Sequence, residues 1–66
     1  MNQVKFWRME RGLSQYELAV ASNVPRWAIQ LIENGIRNPT SVERFNLAST
    51  LGIEELSLFK AIENEI

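Results

Sequence analysis

The sequence predicts an all-α fold, and three observations carry that prediction. Apolar residues recur at three- and four-residue spacing in several short segments, each ended by a glycine or a turn residue. Two of those segments open with a capping box. No stretch of any length alternates apolar and polar residues as a strand would, and the one Asn-Gly pair, Asn34–Gly35, follows helical periodicity rather than a strand. Five helices account for the chain.

The first helix is expected over roughly 2–11, with Val4, Trp7, Arg8 and Arg11 on one side and Gly12 as its stop. The second begins at Ser14. In "SQYE" the Ser14 hydroxyl can accept the Glu17 backbone N–H while the Glu17 carboxylate reaches back to the Ser14 N–H. Leu18, Ala19 and Ala21 supply its small apolar contacts, and it should end near Ser22. Asn23 then suits a turn, because asparagine tolerates positive φ better than most residues, and Val24 should be a buried turn residue. Pro25 fits the start of the third helix, where its missing N–H costs nothing, although it brings no capping oxygen. Ala28, Ile29, Ile32 and Ile36 form the inward stripe of that helix, and Gly35 is its stop. After the loop "GIRNP", a second capping box from Thr40 to Glu43 opens the fourth helix, whose Phe45, Leu47, Ala48 and Leu51 are expected to face the core. Gly52 stops it and Ile53 supplies the apolar contact that often follows such a stop. The last helix, about 54–63, starts with two acids at its positive end and carries the apolar stripe Leu56, Phe59, Ile62 and Ile66.

Length and composition remove several classes of function. Sixty-six residues make one domain at most, here taken as residues 1–66. A chain of that size buries only about 60% of its unfolded surface, which leaves no room for an enclosed active site beside a core. The hydrophobic fraction of 45% argues against disorder. With no cysteine and no histidine there is no disulfide, no thiolate zinc site and no imidazole ligand or general base. Neither a metal nor a cofactor is expected, and no catalysis, since the glutamate pairs lie on exposed helix faces without a nucleophile. No apolar run is long enough for a membrane span, and "MNQVKFWRMERG" has no signal-peptide core, so a cytoplasmic protein without a membrane partner is expected.

The net charge of −1 does not advertise a nucleic-acid partner, but its distribution is uneven. Residues 1–40 carry Lys5, Arg8, Arg11, Arg26 and Arg37 against Glu10, Glu17 and Glu33, a net +2. Residues 41–66 carry Arg44 and Lys60 against Glu43, Glu54, Glu55, Glu63 and Glu65, a net −3. A basic half can still meet phosphate. Two short helices joined by a tight turn suit major-groove recognition when the second shows an outward face able to read base edges. That face is Arg26, Trp27, Gln30, Leu31 and Asn34. Arginine can bond guanine O6 and N7, and glutamine adenine N6 and N7.

The chain resembles the Cro/phage-repressor (Xre-type) helix-turn-helix family. The resemblance rests on "R-x-x-x-G-L-S-Q-x-E-L-A", here Arg8, Gly12, Leu13, Ser14, Gln15, Glu17, Leu18 and Ala19, and continues through Val24, Ile29, Ile32, Glu33, Gly35, Pro39, Leu47, Ala48, Leu51 and Ile53. It covers about residues 4–59. It implies a compact five-helix, lambda-repressor-like DNA-binding domain whose helix-turn-helix core lies at about 15–34. It also implies that Arg8 and Glu33 pair across the first and third helices. Carried over position by position, Arg26, Trp27, Gln30 and Leu31 would face bases, while Gln15, Asn34, Arg37 and Asn38 would meet the DNA backbone. Gln15 could also steady the recognition helix.

The chain departs from the family pattern at four positions. Trp27 and Leu31 stand where polar residues are usual, Pro25 where Ser or Thr is usual, and Asn23 where Gly is usual. Trp27 and Leu31 are open to two readings: contacts to thymine methyls, phosphate or sugar, or, with Phe6 added, a patch for a protein partner. The expected function is a sequence-specific DNA-binding transcriptional regulator, a repressor acting on double-stranded DNA as a homodimer and associated with the nucleoid. Leu56, Phe59, Ile62 and Ile66 are its expected dimer surface. The alternative is a protein-interaction module on the same fold, such as an antitoxin or accessory regulator.

Overall fold

A computed structural model describes residues 2–59 of the chain. Within them the helices are α1 (Val4–Glu10), α2 (Gln15–Ser22), α3 (Arg26–Glu33), α4 (Ser41–Leu51) and α5 (Glu55–Phe59), with no strand among the described residues. Both capping boxes form. The Ser14 hydroxyl accepts the Glu17 N–H at 3.0 Å and Glu17 accepts the Ser14 N–H at 2.8 Å. Thr40 and Glu43 repeat the arrangement at 3.1 and 3.0 Å. Each box satisfies two donors that a helix start would otherwise leave open.

The helices close around Val4, Leu18, Val24, Ala28, Ile29, Ile32, Leu47, Ala48, Leu51 and Leu58. α2 packs on α3 and α4, α1 bridges α3 and α4, and α5 packs on α4. The edges are tied by polar groups. Asn2 lies outside α1, where its Oδ1 accepts the Val4 N–H at 3.0 Å and its Nδ2 donates to the Ile32 carbonyl at 2.9 Å. The Gln3 N–H donates to the Leu58 carbonyl at 2.8 Å. Arg11 reaches the end of α4, donating from Nε to the Leu51 carbonyl at 2.9 Å, while its guanidinium lies over Trp7. A cation there complements the negative helix end.

Four sequence expectations are corrected. Ile36 is 71% exposed rather than inward. α3 ends at Glu33, and Gly35 with φ +74° turns the chain back, so the Ile36 N–H bonds the Leu31 carbonyl at 3.0 Å and the side chain leaves the stripe. Phe45 is 61% exposed, because Leu47, Ala48 and Leu51 take the inner side of α4 and two residues of helix place Phe45 across the axis from Leu47. Ala21 is exposed, as Leu18 and Ser22 fill the inward side of α2. In α5 the core plug is Leu58, and by the same two-residue rotation Leu56 is exposed while Phe59 is partly buried against the core. Ile62, Ile66 and the expected continuation of this helix to 63 lie outside the described residues.

Candidate nucleic-acid interface

The turn between α2 and α3 occupies Asn23, Val24 and Pro25. Asn23 takes the left-handed conformation (φ 61°, ψ 31°) and its N–H bonds the Ala19 carbonyl at 2.9 Å. Asparagine accepts that conformation at less cost than most side-chain-bearing residues. Buried Val24 pins the turn to the core. Pro25 stands one residue before the helix, as the cap residue, with extended backbone (ψ 144°). Its carbonyl accepts from Ala28 and Ile29, and no side chain caps α3.

A polar cluster holds α3 from behind. Arg8 Nε donates to Glu33 Oε2 at 2.7 Å and Arg8 Nη2 to Glu33 Oε1 at 3.2 Å. The remaining arm, Nη1, donates to the Leu13 carbonyl at 2.8 Å. Gln15 Nε2 donates to Glu33 Oε1 at 3.1 Å. The side chains of Arg8 and Glu33 are 11% and 2% exposed, so the carboxylate is desolvated and held by charge-assisted bonds. The cluster links α1, the start of α2 and the end of α3. The pairing of Arg8 with Glu33 is present as expected, and Gln15 ties the start of α2 to the end of α3, with one of its amide hydrogens left over.

The other side of α3 faces out. Arg26, Trp27 and Gln30 are exposed, whereas Ala28, Ile29 and Ile32 are fully buried. Asn34 and Asn38 are exposed at the end of the helix and in the following loop. Leu31 is partly buried, so it offers less surface than the sequence suggested.

Arg37 has an environment that sequence spacing did not signal. Its Nη2 donates to Glu43 Oε2 at 3.0 Å, and its Nη1 lies 3.0 Å from Glu43 Oε1. That second contact is ionic rather than a well-aligned hydrogen bond, and Nη1 has no aligned acceptor. The guanidinium carbon lies 5.4 Å from the centre of the Trp27 ring, within cation–π range. The capping box uses one carboxylate oxygen of Glu43 for the Thr40 N–H, and the other is what Arg37 takes. The Arg37 hydrogen bond holds the Glu43 carboxyl below its ordinary value of 4.5, with the Thr40 bonds assisting and burial opposing.

A folded-state pKa below the unfolded one stabilises the fold above the unfolded value, and that gain is lost as pH falls through the folded one. The excess stability of the wild type over Glu43→Gln is therefore expected at neutral pH and should shrink below about pH 4.5. Thermal unfolding of both proteins from pH 7 to pH 3 checks this; a difference that stays constant would contradict it.

Most cations of the basic half are thus engaged internally. Arg8 pairs with Glu33, Arg37 with Glu43, and Arg11 with a helix end and Trp7. Among the described residues, Lys5, Arg11 and Arg26 have no carboxylate partner, and Arg26 is the one on the outward face of α3.

The match to the Helix-turn-helix family extends over residues 4–58, from the first residue of α1 into α5. This chain belongs to the Cro/C1-type helix-turn-helix family. Two relatives of this helix-turn-helix chain are carried by bacteria. It is 33% identical over 58 residues to the uncharacterized HTH-type transcriptional regulator YqaF of Bacillus subtilis, a match covering 88% of this chain and 76% of YqaF. It is 35% identical over 51 residues to the uncharacterized HTH-type transcriptional regulator y4dJ of Sinorhizobium fredii, covering 77% of this chain and 66% of y4dJ. No metal-ligating cluster occurs among the described residues, and none of their helices is long and apolar enough to cross a membrane.

Proposed function

We propose that this chain is a sequence-specific DNA-binding transcriptional regulator, a repressor that binds a palindromic operator as a homodimer. One observation carries the reading: α3 buries Ala28, Ile29 and Ile32 completely and presents Arg26, Trp27 and Gln30 to solvent from a helix-turn-helix. Its relatives' names as HTH-type transcriptional regulators support it. Arg26 and Gln30 read base edges, with Trp27 and Leu31 making apolar contact beside them. Gln15, Asn34 and Asn38 meet the DNA backbone and set the register of α3 in the groove. No step is catalytic. The dimer uses the face of α5 that carries exposed Leu56 and partly buried Phe59, and its half-sites lie about 34 Å apart, one turn of the duplex.

Selection of bound duplexes from a random pool tests this reading. A palindromic consensus is expected, with binding that weakens steeply as salt rises because phosphate neutralisation releases counterions. An enriched pool indistinguishable from its input would overturn it. A second reading is favoured by the 60% exposure of Trp27 and the scarcity of unpaired cations among the described residues: a module that binds a protein partner through Trp27 and Leu31. It predicts almost no duplex binding at any salt concentration.

A further inference from the structure

We propose that Arg37 is a positioning residue that holds the Trp27 indole in one orientation on the outward face of α3, so that Trp27 acts as a preorganised, specificity-determining group. The proposal rests on the DNA-binding reading above and assigns a mechanism to its least expected residue. An exposed tryptophan at the start of a helix would ordinarily sample several rotamers, and ordering it on binding would cost entropy. Here its ring lies under a guanidinium at 5.4 Å. The guanidinium is itself fixed, because both oxygens of Glu43 lie 3.0 Å from its nitrogens. Glu43 is fixed in turn by the capping box with Thr40. The main chain contributes as well: the Arg37 N–H bonds the Leu31 carbonyl at 3.3 Å, bringing the loop back along α3. A sequence of restraints therefore runs from the first turn of α4 to the reading face of α3.

Charge separates this role from a phosphate contact. The Arg37 cation is paired with Glu43, through one hydrogen bond from Nη2 and an ionic contact from Nη1. Arg26, on the same face, has no carboxylate partner among the described residues. The two arginines near Trp27 thus divide the work: Arg26 is available to a base or phosphate, and Arg37 orients the indole.

The test uses the native chain and two independent readouts. The first needs no DNA. The indole N–H groups of Trp7 and Trp27 give separate resonances, assigned with Trp27→Phe. Their 15N heteronuclear NOE is measured in wild type, Arg37→Ala and Arg37→Lys, with folding checked by circular dichroism. The Trp27 value is expected to fall in both variants, since lysine keeps the charge but not the plane, while the Trp7 value stays unchanged. The second readout measures affinity for a duplex selected from the random pool and for a scrambled duplex across salt. Arg37→Ala is expected to lower the ratio between them by about two- to fivefold, the size of an exposed cation–π contact. It should leave the salt slope unchanged and add nothing on top of Trp27→Ala. An unchanged Trp27 NOE overturns the proposal. So does equal weakening on both duplexes with a shallower salt slope, which would make Arg37 a phosphate contact. If the wild type binds no duplex, the DNA-binding reading fails, and the NOE comparison still decides whether Arg37 restrains Trp27.

Discussion

Replacing Arg8 with alanine is expected to destabilise the fold by about 3–5 kcal/mol, the usual cost of removing one partner from a buried ion pair. The substitution leaves the Glu33 carboxylate, 2% exposed, with Gln15 as its remaining side-chain donor, and it strips the Leu13 carbonyl of its Arg8 bond. A domain of this length has a total stability of only roughly 3–10 kcal/mol, so a large share of Arg8→Ala molecules should be unfolded at ambient temperature. Urea unfolding followed by circular dichroism measures the loss. The double variant Arg8→Met, Glu33→Met should recover much of it, because apolar replacement of both partners removes the desolvated charge. A single variant within about 0.5 kcal/mol of wild type, the range of an ordinary surface substitution, would show that the cluster does not hold α3.

The second large effect concerns recognition. Arg26→Ala and Gln30→Ala should each cost about 1–3 kcal/mol on the selected duplex and relax preference at one base position. Combined, they approach the sum, about 2–6 kcal/mol, unless the two side chains, one helical turn apart, share a base pair and couple. Neither side chain makes a hydrogen bond or ion pair among the described residues, so the fold should survive both changes. Titration of the selected and a scrambled duplex separates the possible roles. Equal losses on both would move these residues from base reading to backbone contact.

Much of this molecule is legible in its sequence because the signals are local. A capping box depends on residues three apart, a left-handed turn on one residue, and an inward stripe on one helix's own period. Hence Ser14, Thr40, Asn23, Gly35 and the triplet Ala28, Ile29 and Ile32 were read correctly from the chain alone. The errors have a common source. Ile36 continued the α3 stripe on paper, but the helix had already ended. Phe45 and Leu56 are as apolar as the residues that displaced them, and which side of α4 or α5 turns inward depends on where the neighbouring helices lie.

By itself, then, the sequence determined an all-α fold, the five helices found among the described residues, the capped starts of α2 and α4, the tight turn between α2 and α3, and the outward placement of Arg26, Trp27 and Gln30 on α3. The tertiary structure alone decided which cations remain available there. Arg37 and Glu43 lie across a loop, and Arg37 and Trp27 ten positions apart, so no helical period links them. Only the return of the chain along α3 brings a guanidinium over the indole, and Coulomb attraction to Glu43 holds that guanidinium beside the outward face of α3.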